Sequence, residues 1–236
     1  SVASRGLGDV YKRQFETVTI AYKGKVAHHD SSGGGGVISE GDVQWMTAAS
    51  GILHKEFHEE GYSKKGGDFQ MVQLWVNLPA KDKMSEPKYQ AIKNEEMTKL
   101  ELENNAGTLE IIAGSYGDAK GTATTFTPIN LFNAHLKKGV DISFSFAEND
   151  NTALLVIEGN ITVNYTDKAS TDHFVLFTNK GEDFTVRADE DALVLVLSGQ
   201  PIDEPIASYG PFVMNTDEEI MQAVKDFQNG KFGYLD

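Results

Sequence analysis

The sequence predicts an all-β protein built from two related halves and closed by one C-terminal helix. Most of its 236 residues lie in short segments that alternate with period two or are rich in β-branched and aromatic residues, separated by Gly, Asn and Asp. A pattern of strand, glycine turn and strand occurs twice. Clear helical spacing with a cap is confined to the end of the chain.

Taken in order, "FETVTIAYKGKVAHHD" reads as two strands about a glycine turn, and "HHDSSGGGGVIS" as a flexible loop after them. His28, His29 and Asp30 are expected in that exposed loop. Gly33–Gly36 lack the strand–loop–helix setting of a phosphate loop. "GDVQWM", "GILHKEFH" and "FQMVQLWVNLP" continue the strands. Trp45, Trp75, Phe69 and Tyr62 are expected as core aromatics, with Met46 beside Trp45.

"SEPKYQAIKNEEM", with its Ser-x-Pro start, carries helical spacing. "GTLEIIAGSYG", "DISFSFAENDNTALLVIEGNITVNY" and "ALVLVLSG" return to strand grammar. In "NTDEEIMQAVKDFQNGKFG", Asn215 or Thr216 precedes Asp217, Glu218 and Glu219, acids that suit a helix N-terminus. Ile220, Val224 and Phe227 then recur at helical spacing up to Gly230.

The repeat matches Val18–His29 with Ala153–Asn164, and a Gly and Asp turn follows each copy, at Gly41-Asp42 and at Gly181-Glu182-Asp183. Two related β units are implied, with a boundary near Gly114–Gly121.

Composition narrows the function. A net charge of −14 repels phosphate backbones and anionic lipid heads, so direct nucleic-acid or membrane binding is not expected. No apolar run approaches a membrane span, and the chain is expected to be cytoplasmic. With no cysteine, a metal must sit on histidine and carboxylate oxygen, and there are six histidines. His54, Glu56 and His58 alternate, so on a strand they point to one face. That set suits iron(II), manganese, nickel, copper or zinc. His135 and His173 have no carboxylate at strand spacing, so the second half is expected to be metal-free.

"GDVQWMTAASGILHKEF", "QLWVNLPAKDKMSEPKYQ" and "YGPFVMNTDEEIMQAVKDFQNGKFG" resemble the pirin family of bicupins, from about Phe15 to the C-terminus. The resemblance implies two cupin (jelly-roll) β-barrels face to face, with the C-terminal helix across the pair. The expected division is an N-terminal cupin over 15–115 and a C-terminal cupin plus helix over 116–236. It implies one iron, Fe(II), in the first barrel, held in part by His54 and Glu56, with His58 at the surface. The first cupin motif supplies the other ligands as His-x-His followed four residues later by Glu. Glu16 matches that Glu, as a base or fallback ligand, and the two His positions fall on Val10 and Lys12. Neither side chain can ligate a metal as it stands. Residues 1–14, "SVASRGLGDVYKRQ", resemble no part of the family and read as a foreign end joined to a truncated frame.

Two functions follow from the resemblance. One is a flavonol (quercetin) 2,3-dioxygenase, impaired here because two His ligands are absent. The other is a non-enzymatic, redox-sensitive regulator that binds transcription factors or metabolic enzymes, and the acidic charge fits a protein partner better than DNA. A monomer is expected.

Overall fold

The computed structural model describes residues 6–31 and 33–231, with side chains from residue 12 onward. The chain divides into two compact units, 1–95 with 202–236, and 96–201. The boundary therefore falls earlier than the expected 115/116, and the C-terminal tail returns to the first unit. The glycine-rich stretch near 114–121 that drew the expected boundary is a small hairpin inside the second unit.

In the first unit the strands are β1 (Gly6–Lys12), β2 (Phe15–Lys23), β3 (Val26–Asp30), β4 (Gly35–Ile38), β5 (Val43–Thr47) and β6 (Ile52–His58). After the short helix α1 (Glu60–Lys65) come β7 (Gln70–Asn77) and β8 (Lys88–Ile92). They form two four-stranded antiparallel sheets, ordered β1-β6-β3-β4 and β7-β2-β5-β8. Three expectations are corrected. His28-His29-Asp30 is strand β3, paired to both β4 and β6, because its alternation buries Asp30 and part of His28. Gly35–Gly36 begins β4 and is not part of a flexible loop. Lys88–Ile92 is a strand and not a helix, since pairing with β5 overrides local propensity. Trp45 is fully buried as expected, whereas Trp75 is 52% exposed and Phe69 39%.

Strand β1 belongs to the segment expected to be foreign. It pairs along β6 with Val10 opposite His54 and Lys12 opposite Ile52, so this segment supplies a strand of the first unit. The residues that follow it are buried. Lys83, 2% exposed, donates from Nζ to the Gln14 carbonyl at 3.2 Å, Asn77 Oδ1 at 2.7 Å and the Val213 carbonyl at 3.1 Å. All three of its donors are thus used, and burial pushes its ammonium down to about 8.

The second unit contains β9 (Thr98–Glu101), β10 (Gly107–Ala113), the hairpin β11 (Ser115–Tyr116) and β12 (Ala119–Lys120), then β13 (Ile129–Leu136), β14 (Asp141–Ser145), β15 (Asn151–Glu158) and β16 (Asn160–Val163). β17 (Asp167–Ser170), β18 (Phe174–Leu176), β19 (Asp183–Ala188) and β20 (Ala192–Gly199) complete it. Its sheets are ordered β18-β15-β20-β13-β10-β9 and β14-β19-β16-β17. Phenylalanines fill the space between them: Phe144 lies 5.4 Å from Phe184 and 6.3 Å from Phe132, and Phe177 4.4 Å from Phe184, centroid to centroid.

The repeat marks the same step in both units. Gly24 (φ +90°) passes the chain from β2 in one sheet to β3 in the other, and Gly159 (φ +87°) does so from β15 to β16. These are corners between sheets and not hairpins. A β-carbon at Gly159 would meet the Asp191 carbonyl oxygen at 2.5 Å, so glycine is required there.

The tail forms β21 (Ala207–Tyr209), β22 (Phe212–Met214) and helix α2 (Asp217–Gln228). Thr216 caps the helix in a reciprocal box with Glu219. Ile220 and Ala223 pack on Phe212 and Met214, with Leu53 of β6 beside them. Buried Arg13 donates to Asp226 Oδ2 at 2.8 Å, which ties α2 to the chain just past β1. Among the described residues no helix is long and apolar enough to cross a membrane.

Candidate functional site

Register fixes which side chains face the interior of the first unit. Opposed residues of an antiparallel pair share a face. On one sheet Lys12 lies opposite Ile52, Asp30 opposite His54 and His28 opposite Glu56, which puts all six on one face. On the other sheet Thr19 pairs with both Gln44 and Gln73, Met46 with Tyr89, and Gln44 with Ala91. Leu53 and Arg13, on the opposite face of the first sheet, turn to α2. Three polar contacts then cross between the sheets. Gln73 Nε2 donates to Glu56 at 2.9 Å, His54 Nδ1 lies 3.1 Å from the Tyr89 hydroxyl, and the Gln44 amide nitrogen lies 2.7 Å from His28 Nε2.

His54 and Glu56 are brought together, Nε2 to Oε1 at 3.3 Å, with His54 2% exposed. Burial works to raise the Glu56 carboxyl, but the His54 hydrogen bond and the Lys12 ammonium outweigh it and hold the group down at about 2. His28 is pushed down to about 4, first by burial and then by the charge of His54, so it is neutral at pH 7. Burial, followed by the adjacent Asp30 carboxylate, raises the Tyr89 phenol.

Glu16 does not join them. It pairs with Thr47 and Val76, which puts it on the other face of its sheet from Thr19, Gln44 and Gln73. There the Thr47 hydroxyl donates to Glu16 Oε1 at 2.7 Å, and burial raises the carboxyl. His58 shares the inward face but sits at the strand end, edge-on to Phe69 at 4.9 Å. It is partly buried and not fully exposed. His135, expected to lack a carboxylate, meets Glu110 across the sheet at 3.3 Å.

A cavity of about 460 Å³ opens against His28 and Tyr89, lined also by Gln44, Asp42, Lys93 and the side-chain-free wall Gly34–Gly36, with neither His54 nor Glu56 in its lining. Tyr89 joins it to the pair, since its ring stacks on His28 at 5.5 Å and its hydroxyl reaches His54. His28, Gln44, Gln73 and Tyr89 were not singled out from sequence as site residues. His28-x-Asp30 has the same alternate spacing as His54-x-Glu56, a usable signal, whereas Tyr89 was hidden by the helical reading of its segment.

A divalent metal needs more donors than this face offers. His54 Nε2 and Glu56 Oε1 are close enough to share one ion, but two donors do not close a metal site. The positions the resemblance assigns to the other ligands are Val10, whose side chain lies outside the described residues, and Lys12, an ammonium without a lone pair. Among the described residues no three of His, Asp or Glu converge to hold an ion. The residues present do not fit the metal.

Comparison with known proteins gives consistent matches. The family model described as "Pirin" covers residues 2–76, which takes in the segment before Phe15, and the one described as "Pirin C-terminal cupin domain" covers residues 131–233. A Pseudomonas aeruginosa protein named "Putative quercetin 2,3-dioxygenase" is 46% identical over 229 residues, 97% of this chain and 79% of that protein. A "Pirin-like protein" of Solanum lycopersicum is 39% identical over 232 residues, 97% of this chain and 77% of its own length. The crystal structure of a quercetin 2,3-dioxygenase from Acinetobacter baumannii matches with a TM-score of 0.94 and 48% identity, over 100% of this chain and 82% of that one.

Proposed function

The chain belongs to the pirin family, and from that premise we propose that it is a flavonol-binding bicupin of the quercetin 2,3-dioxygenase kind whose oxidative turnover is impaired. The observation that carries the reading is the cavity of about 460 Å³ against His28 and Tyr89, the neighbours of His54, within the size range of small-molecule pockets. Its lining suits a flat polyphenol. Gly34–Gly36 leave one wall free of side chains, the Tyr89 and His28 rings offer stacking faces, and Gln44 with neutral His28 supplies hydrogen-bonding groups. Half-buried Tyr89, its phenol raised, stays protonated at neutral pH and holds its hydroxyl on His54. The metal a complete site would hold is Fe(II). With Val10 and Lys12 at two of its positions, turnover is impaired while the pocket persists.

Quercetin titrated into the chain under air, followed by absorbance with an oxygen electrode in parallel, separates binding from turnover. Saturable binding without oxygen uptake above the spontaneous rate is expected. Gly36→Val, whose new side chain starts 3.3 Å from His28 Nε2 and grows into the cavity, should weaken binding about tenfold or more. A folded chain that binds no flavonol would sink the reading and favour a regulatory role through a protein partner.

A further inference from the structure

The cavity of the first unit lies between two strand edges. β4 is the last strand of one sheet and β8 the last of the other, and among the described residues no ladder joins them. At one end of the gap Gly34 lies against the Tyr89 ring, which a β-carbon there would meet at 3.4 Å. At the other end Lys93 Nζ donates to the Val37 carbonyl of β4 at 3.1 Å and to Asp42 Oδ2 at 2.8 Å. Lys93 follows Tyr89 by four residues, about 13 Å of extended chain, so the gap has the length for a three-ring ligand laid along it. The Lys93 end holds a donor in readiness. An ammonium has three N–H groups, and the contacts to Val37 and Asp42 use two. Asp42 is fixed in its turn, with Oδ1 accepting from the Asn94 amide at 3.0 Å and Oδ2 from the Ser39 amide at 3.0 Å. The Lys93 side chain, 45% exposed, lines the cavity from this anchored position.

We infer that Lys93 is a specificity-determining residue of this pocket, whose remaining N–H holds a phenolic oxygen at the end of the ligand remote from Tyr89. The inference rests on the flavonol reading proposed above and names the feature of the ligand that the pocket selects. With the hydroxy-ketone edge of a flavonol against Gln44 and His28, the fused benzo ring points along the gap to Lys93. The hydroxyl selected is the one on that ring para to the carbonyl. Conjugation with the carbonyl makes it acidic, and an ionised oxygen accepts from an ammonium about twice as strongly as a neutral one. Asp42 does not compete for this role, because both of its oxygens already accept hydrogen bonds and a carboxylate has no proton to give. The anchors on Val37 and Asp42 also set the position of the ammonium before the ligand arrives, so little side-chain freedom is lost on binding.

Titration of the full chain with 3-hydroxyflavone and with 3,7-dihydroxyflavone, followed by ligand fluorescence, tests this directly, since the two compounds differ only in that hydroxyl. The unaltered chain should bind the dihydroxy compound about fivefold more tightly. Lys93→Met should bind the two within about twofold of each other, and Lys93→Arg, which keeps the charge and the donors, should restore part of the preference. Losing the anchors on Val37 and Asp42 would weaken both compounds alike, so the ratio of affinities separates recognition from a merely structural role. Equal affinities in the unaltered chain, or an undiminished preference in Lys93→Met, would overturn the inference and leave the proposed function standing. A chain that is folded by circular dichroism and binds neither compound would sink both.

Discussion

The chemistry of the first barrel rests on a few side chains whose charge states depend on burial. His28 is held down near 4 against an ordinary 6.5, and Glu56 near 2 against 4.5. As pH falls from 6.5 towards 4, the unfolded chain takes up a proton that folded His28 refuses. As it falls from 4.5 towards 2, unfolded Glu56 is protonated while the folded group stays ionised. Both effects lower stability in acid, in adjoining windows, each by at most roughly 3 kcal/mol. His28→Gln should flatten the loss between pH 6.5 and 4 and leave the lower window in place, as followed by denaturant midpoints at a series of pH values. An unchanged upper window would mean that His28 is not buried neutral. His54 and Glu56 were legible in the sequence because alternate spacing puts two ligands on one strand face. Their partners Gln44, Gln73 and Tyr89 were not, since a polar residue on a strand carries no mark of which face it takes until the sheet's register is known.

At the scale of elements, the C-terminal helix was read almost to its boundaries. The Asn-Thr cap, the acids of the first turn and the apolar spacing all act locally. Its docking was not legible. The buried carboxylate of Asp226 receives Arg13 from a segment 213 residues earlier, and no local pattern announces such a pair. Asp226→Asn should cost about 3 kcal/mol by removing the carboxylate that faces the buried Arg13 charge and Lys231, while Thr216→Ala at the cap should cost only about 1 kcal/mol. Chemical denaturation of the two variants checks the ranking, and equal losses would remove Arg13 from the account of how α2 is held. Strand β8 failed for the opposite reason. "KYQAI" contains residues at ease in a helix, and pairing along β5, unseen in the sequence, decided the matter.

Across the whole molecule, the two units repeat one plan and divide the work. The glycine corners at Gly24 and Gly159 occupy the same step in each, so the duplication read from the sequence is a duplication of architecture. Their interiors differ in kind. The first is crossed by polar contacts among Gln44, His28, His54, Glu56, Gln73 and Tyr89, and the second is packed with Phe132, Phe144, Phe177 and Phe184. The cavity of about 460 Å³ lies in the first. The central claim is that this barrel keeps the pocket of its family while Val10 and Lys12 stand at two positions of its metal site. It is tested most directly by crystals of the unaltered chain grown with Fe(II) and quercetin, with anomalous data collected at the iron edge. The expected maps show flavonol density against His28, Gln44 and Tyr89 and no anomalous peak at His54 and Glu56. A strong iron peak bound by His54 and Glu56 would contradict the account.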